Sequence, residues 1–320
     1  MPLTTRCVLL MMSLGLPSFV TAADELPSIE QGALVRGFAL PSIGRSEVLE
    51  SDQWSQRIEF GSINEYQAQT GSGESITVDG EVSRLLYNVQ RGFGSGWDAG
   101  ISIPILIQGG GYLDGLIENW HKAFGLPNAG REDAPRNRYL YQYSRNGQLL
   151  LDAHQPSTGF GDVQINTGHS LSNDLAVRAL LKIPTGKSST LAGNGAFGGA
   201  LWLDGRIPDM GDWLIGGGAG ISYTGTGDIL PAQQKNWIPF GAAELGYSFT
   251  GRFSAQVQVY AHAAPYRDSA LSPLAHVGVP LTVSGSYLIS NTSTLNMGFQ
   301  EKTNYGASPD FGIYIGLDWR

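Results

Sequence analysis

Long segments of this chain alternate apolar and polar residues with a period of two. "GWDAGISIPILIQ" sets Trp97, Ala99, Ile101, Ile103, Ile105 and Ile107 against Asp98, Gly100, Ser102 and Pro104. "RFSAQVQVYAHA" and "HVGVPLTVSGSYLI" repeat the pattern from Phe253 and from Val277. Side chains on a strand alternate between faces, so each segment is a strand with one apolar and one polar face. A soluble sandwich turns the apolar face inward. A membrane barrel turns it outward to lipid and lines its lumen with the polar one.

Four features favour the barrel. Many segments run about ten residues or more, the length a tilted membrane strand needs. Short turns (Gly92–Gly96, Ser172–Asp174, Pro208–Asp212, Thr250–Arg252, Ser290–Ser293) alternate with long loops, as in outer-membrane barrels. Trp54, Trp97, Trp213, Phe249, Phe253 and Trp319 fall near the rim of short turns, and Tyr66, Tyr223 and Trp237 near the rim of long loops. Amphipathic aromatics prefer both interfaces. Last, "DFGIYIGLDWR" resembles the terminal signal read by the barrel assembly machinery, departing from it only in the Arg320 that follows Trp319.

The expected fold is therefore all-β: a transmembrane antiparallel up-and-down barrel of about 12 strands, with 14 if the hairpin "YLYQYSRNGQLLLDA" also spans. The strands expected are 54–66, 76–91, 97–107, 161–171, 175–183, 197–207, 213–223, 237–249, 253–263, 274–289, 294–301 and 310–319, with a bulge near Val82–Arg84 where the alternation breaks.

Targeting is legible at the start. Arg6, the apolar run Cys7–Val20 and small residues at Thr21-Ala22-Ala23 predict a signal peptide over 1–23. Residues 24–53 read as a periplasmic lead-in, 54–320 as the barrel, and 109–160 as a long extracellular loop with a helix and a hairpin. Cys7 is the only cysteine, so the mature chain has no disulfide. A mean hydropathy of −0.09 argues against a bundle of membrane helices. No basic block suggests nucleic acid.

The polar strand faces collect Arg57, Glu59, Arg84, Asp98, Asp162, Arg178, Lys182, Asp204, Arg206, Glu244, His262 and Asp318. Charges at membrane depth must be paired or watered. Two readings stand: a salt-bridged, filled interior, or a narrow polar channel. Neither sign dominates. "GNGAFG" and "TGKSS" match fragments of nucleotide motifs in the wrong context, and no metal, cofactor or catalytic pattern is found.

One stretch breaks the strand pattern: "GGGYLDGLIENWHKAFGLPNAGRED". Asp114 caps a predicted helix and Gly125 ends it, with Leu113, Leu116, Ile117, Trp120 and Phe124 on one face and Glu118, His121 and Lys122 on the other. It reads as a loop helix packed on the rim or into the mouth, as a gate using Asp114, Glu118, Trp120, His121 and Arg131, or as a site where His121 works with a carboxylate. Together with "GFALPS", "KIPTG" and the closing "SPDFGIYIGLDWR", this stretch resembles the outer-membrane family catalogued as domain of unknown function 3187. The resemblance implies a proteobacterial outer-membrane barrel and no activity. The expected partners are the lipid bilayer, lipopolysaccharide, the assembly machinery and a small solute. The function expected is a narrow channel or binding protein whose access the 109–138 loop shapes. Alternatives are an outer-membrane enzyme such as a lipid hydrolase, and a structural or adhesive barrel with a closed lumen.

Overall fold

The structure, a computed structural model, describes residues 32–125, 131, 134–303 and 306–320. In chain order its strands are β1 (Trp54–Gly71), β2 (Glu74–Gly94), β3 (Trp97–Gly109), β4 (Leu140–Arg145), β5 (Gln148–Ala153), β6 (Ser157–Phe160), β7 (Val163–Ser172), β8 (Leu175–Ile183), β9 (Gly198–Arg206), β10 (Trp213–Thr224), β11 (Trp237–Ser248), β12 (Phe253–His262), β13 (Pro280–Ser290), β14 (Ser293–Lys302) and β15 (Phe311–Trp319). Two helices join them: α1 (Asp114–Phe124) and the short α2 (Ser272–Ala275).

Twelve strands form a closed antiparallel barrel, and β4, β5 and β6 are the three extra strands. Closure comes from β1 pairing with β15, in a register from Gln56↔Trp319 to Asn64↔Phe311. Closure removes the open edges that a bilayer cannot hydrate. The expected hairpin does not span. Its strands β4 and β5 add to the outer tip of β2, where Glu74–Asp79 pair with β4 beyond the end of β3. Strand β6 fills the gap beside Ile105–Gln108 that β7 does not reach.

The expected bulge at Val82–Arg84 is absent. Pairing there is continuous on both sides of β2, and the irregularity lies at Gly92/Gly94. What changes near residue 83 is the polarity of the faces. Below it, Leu85 and Tyr87 are exposed on the outer surface. Above it, the inward residues are apolar (Val82, Val78, Ile76), and the outward ones are Ser83, Glu81 and Asp79. A strand of 21 residues is longer than the ~10 that a tilted span needs, so its outer part stands beyond the bilayer and packs like a soluble protein.

That outer part encloses an apolar core over the mouth of the barrel. Leu34 and Phe38 join Ile76, Val78, Tyr139, Tyr141, Tyr143, Leu230, Ile238, Tyr266, Leu271 and Leu274. Leu274, expected in a strand, sits in α2 at 0% exposure within this core, and β13 begins at Pro280. Trp54, Trp97 and Trp213 are about half exposed at the rim of short turns, as are Tyr223 and Trp237 at the other rim. Tyr66 departs from that belt, because the Arg131 guanidinium covers its ring at 5.4 Å.

Candidate lumenal site

The residues expected to be periplasmic lead-in fill the lumen instead. The described part, residues 32–53, runs from the outer apolar core down to the rim of short turns. Residues 24–31 lie outside the described residues. This segment is irregular, so its backbone groups need partners from elsewhere. The wall supplies them. Glu65 accepts from Ala33 N at 2.9 Å, and Tyr266 Oη donates to Leu34 O at 2.9 Å. Ser222 donates to Phe38 O, and Gln258 to Ile43 O at 2.9 Å. Asp204 accepts from Gly44 N and Arg45 N, each at 3.0 Å. Arg178 donates to Arg45 O and Glu47 O, each at 2.6 Å, and Asp98 accepts from Leu49 N at 3.2 Å. At the bottom, Gln53 and Asp52 exchange backbone bonds with Gly92. Gly44 takes φ +121°, and a side chain there would run into Glu244.

The charged residues expected in the lumen are thus brought together, as wall-to-wall pairs and as holders of this segment. Arg57 pairs with Asp318 at 2.5 Å, Arg84 with Glu59 at 2.7 Å and Arg178 with Asp98 at 3.3 Å. Lys182, fully buried, pairs with Asp162 and donates to Asn194. Arg206 bridges Asp174 and Glu47. Glu244 accepts from Gln258 at 3.2 Å. His262 is 1% exposed at the top of β12 and bridges to Gly278 through its backbone. Among the described residues, no group of three or more His, Cys, Asp or Glu is placed to hold a metal.

The residues expected as a gate lie elsewhere, on the outside of the wall. After β3 the chain passes over the outer face of β2, where Glu81 accepts from Tyr112 N and Leu113 N at 2.9 and 2.8 Å. Gly111 is required here: its φ is +69°, and a Cβ would overlap Glu81. Helix α1 then lies on β14 and β15. Leu113, Ile117 and Trp120 pack on Phe299, Phe311 and Ile313. Those strand residues share the outward face with Met297 and Ile315, which are 50% and 48% exposed. Asp114 does not cap the helix through its side chain. It accepts from Asn64, Asn137 N and Arg131, and Arg131 also binds Asp310. His121 faces Glu301 at 3.6 Å, and Glu118 pairs with Arg136. Leu116 and Phe124, expected on the packing face, are 50% and 64% exposed on the outer surface. The loop therefore straps the seam between β1 and β15 from outside.

Among the described residues, two spaces lie beside the internal segment. One, about 140 Å³, lies between the segment and β1, β2, β3, β7 and β8. The other, about 760 Å³, opens at the rim of short turns. Arg45, Arg57 and Asn88 line both, so these three side chains stand between the two. Arg36, Arg45, Gln90 and Asn88 belong to this region and were not singled out in the sequence. The signals are the apolar spacing of Leu34, Phe38 and Ile43 in the stretch expected to be a periplasmic lead-in, and "GFALPS" within it.

Comparison with solved structures supports the fold. An outer-membrane channel from Pseudomonas putida F1 superposes with a TM-score of 0.55 at 10% identity, covering 88% of this chain and 99% of that one. Looser matches are the translocator domain of the autotransporter NalP from Neisseria meningitidis (TM-score 0.48, 8% identity, 83% and 88% covered) and the NanC porin (0.45, 12%, 84% and 100%). No curated protein matches the sequence. The likeness to the first is one of fold, a transmembrane antiparallel barrel whose outer surface here carries exposed apolar side chains such as Ile58, Phe60, Leu85 and Ile315. The profile described as Protein of unknown function (DUF3187) matches residues 25–320, and the chain belongs to that family.

Proposed function

We propose that the protein is a narrow outer-membrane channel for a small solute, reached after export by its signal peptide. The observation that carries this reading is the pair of spaces beside the internal segment, with Arg45, Arg57 and Asn88 in the lining of both. A filled barrel with no transport role has no need of a wide inner vestibule with a second space beyond it in the lumen. On this reading residues 32–53 set the width of the path, and the 109–138 loop braces the wall. Lipopolysaccharide meets the exposed Leu116 and Phe124 of the brace, and the assembly machinery reads β15.

A second reading, a structural barrel with a closed lumen, has one observation in its favour: the apolar core that covers the outer mouth. Liposome swelling separates the two. Vesicles carrying the refolded protein should swell in small neutral and charged solutes and stay closed to a trisaccharide. No swelling with any solute, from protein whose barrel is shown folded by its heat-dependent gel mobility, would sink the channel reading.

A further inference from the structure

Over residues 38–47 the backbone of the internal segment is held from one side of the barrel. The holders are Arg178 on β8, Asp204 on β9, Ser222 on β10 and Gln258 on β12. Strands β1, β2 and β3 stand across from that side in the strand order, and they line the 140 Å³ space.

Three side chains, Arg45, Arg57 and Asn88, line both this space and the wide one at the rim. Two of them belong to the wall. Arg57 and Asn88 face each other across β1 and β2. Arg57 pairs with Asp318 on β15 at 2.5 Å, and Asn88 donates to Ser102 on β3 at 2.7 Å. Both are therefore anchored to the next strand of the same wall.

Arg45 comes from the segment instead. Its peptide groups are fixed on the far side: Asp204 accepts from its N–H at 3.0 Å, and Arg178 donates to its carbonyl at 2.6 Å. From that base the side chain crosses to the opposite wall. There its guanidinium donates to Gln90 on β2 and lies 4.0 Å from Asp98 on β3. Gln90 is 2% exposed and Asp98 0%, so the far end is seated in the wall and not in water. Such a bridge can open by rotation about side-chain bonds, whereas the backbone beneath it is tied at Phe38, Ile43, Gly44 and Glu47.

We infer that Arg45 is the latch of the path. Its side chain, reaching from the segment to the wall, divides the vestibule at the rim from the space beyond and sets the size of solute that passes. The inference rests on the channel reading and deepens it by naming the residue that limits passage.

Single-channel recording with a chemically restorable variant tests it. The one cysteine of the chain, Cys7, lies in the expected signal peptide, so the mature barrel is a cysteine-free background. Arg45→Cys should enlarge the step about twofold, since the width and charge of a pore's narrowest point govern conduction. Aminoethyl methanethiosulfonate then forms a disulfide whose ammonium stands as many bonds from Cβ as the terminal nitrogens of arginine. It should return the step to the wild-type size, and a reducing agent should enlarge it again. Arg91→Cys, at an exposed arginine on the rim of short turns, should leave the step unchanged before and after the reagent. An enlarged step that persists after complete labelling would overturn the latch, because it would mean that the segment itself had been released. A step of wild-type size from Arg45→Cys would also overturn the latch, and the channel reading would stand. Silence from wild type and variant, with both barrels folded, would end the channel reading and the latch with it. Should Arg45→Cys not fold, Gln90→Ala, which frees the far end of the bridge, decides by the same enlargement or its absence.

Discussion

The internal segment, residues 32–53, and the external strap, residues 110–125 with Arg131, are both insertions into the strand pattern laid on the same wall, the first irregular and the second built on helix α1. They are held in different ways. The inner one is held by its backbone, to which Asp204, Arg178, Gln258 and Asp98 reach from the wall. The outer one is held mainly by its side chains, with Ile117 and Trp120 on Phe299 and Phe311 and with Arg131 between Asp114 and Asp310, beside the two backbone bonds that Glu81 accepts. Each face of the sheet offers what its own environment leaves. The lumen offers polar groups, because water and the segment satisfy them. The outer face offers apolar groups, because lipid would otherwise cover them. A polar side chain on the outer face, such as Asn64 or Glu81, marks where the strap lies.

The comparison breaks most sharply at Arg131. It is 4% exposed between two carboxylates, and removing one member of a buried ion cluster costs about 3–5 kcal/mol. Arg131→Ala should release the strap, seen as loss of hydrogen-exchange protection in α1, while any solute flux through the barrel stays as in wild type. Ile117→Ala deletes a fully buried side chain and should cost about 2–4 kcal/mol by the same readout. A change in flux from either variant would mean that the two faces are coupled.

The inner counterpart is Asp204→Asn. It removes the carboxylate that accepts from Gly44 N and Arg45 N, a loss of about 1–3 kcal/mol. Exchange at residues 43–46 should rise, and α1 should keep its protection. If α1 loosens as well, the independence of the faces is wrong.

The smallest effect concerns the outer core, which the internal segment joins through Leu34 and Phe38. Glu74 sits at the tip of β2, beyond the bilayer. Burial pushes its carboxyl up, but hydrogen bonds from Tyr143 Oη, Ala270 N and Ser269 Oγ, with Arg145 nearby, outweigh burial and leave it below its ordinary 4.5. A lowered value in the folded state means stability that is present above pH 4.5 and lost as pH falls through the folded value. Acidification below about pH 4.5 should raise exchange in β4, and Glu74→Gln should flatten that dependence. An equal response in both proteins would remove Glu74 as the cause.

The barrel was legible because the membrane imposes one binary pattern on every spanning strand. Phe253 to Ala261 shows it without a break. It failed where the environment changes along one strand. At Val82–Arg84 the solvent of the outer face switches from lipid to protein, and the inverted pattern mimicked a bulge. The polar lumen residues were legible as a set, since Arg57, Glu59, Asp98, Arg178 and Asp204 share the face opposite the lipid. Their partner was not. An irregular segment has no periodicity to betray it, and its bonds use backbone groups that every residue possesses. Helix α1 was legible as a helix through its spacing and Gly125. Its side of the wall was not, because an apolar face suits the outside of a membrane barrel as well as a closed mouth.

Single-channel recording of two deletions in the same planar bilayer tests the central claim most directly. One removes residues 33–48 from the lumen, and the other removes residues 113–125 from the outer face. The internal deletion should enlarge the conductance several-fold, and the external deletion should leave it at the wild-type level. The reverse, an unchanged step without the internal segment and a larger one without the helix, would contradict this account and return the gate to the loop.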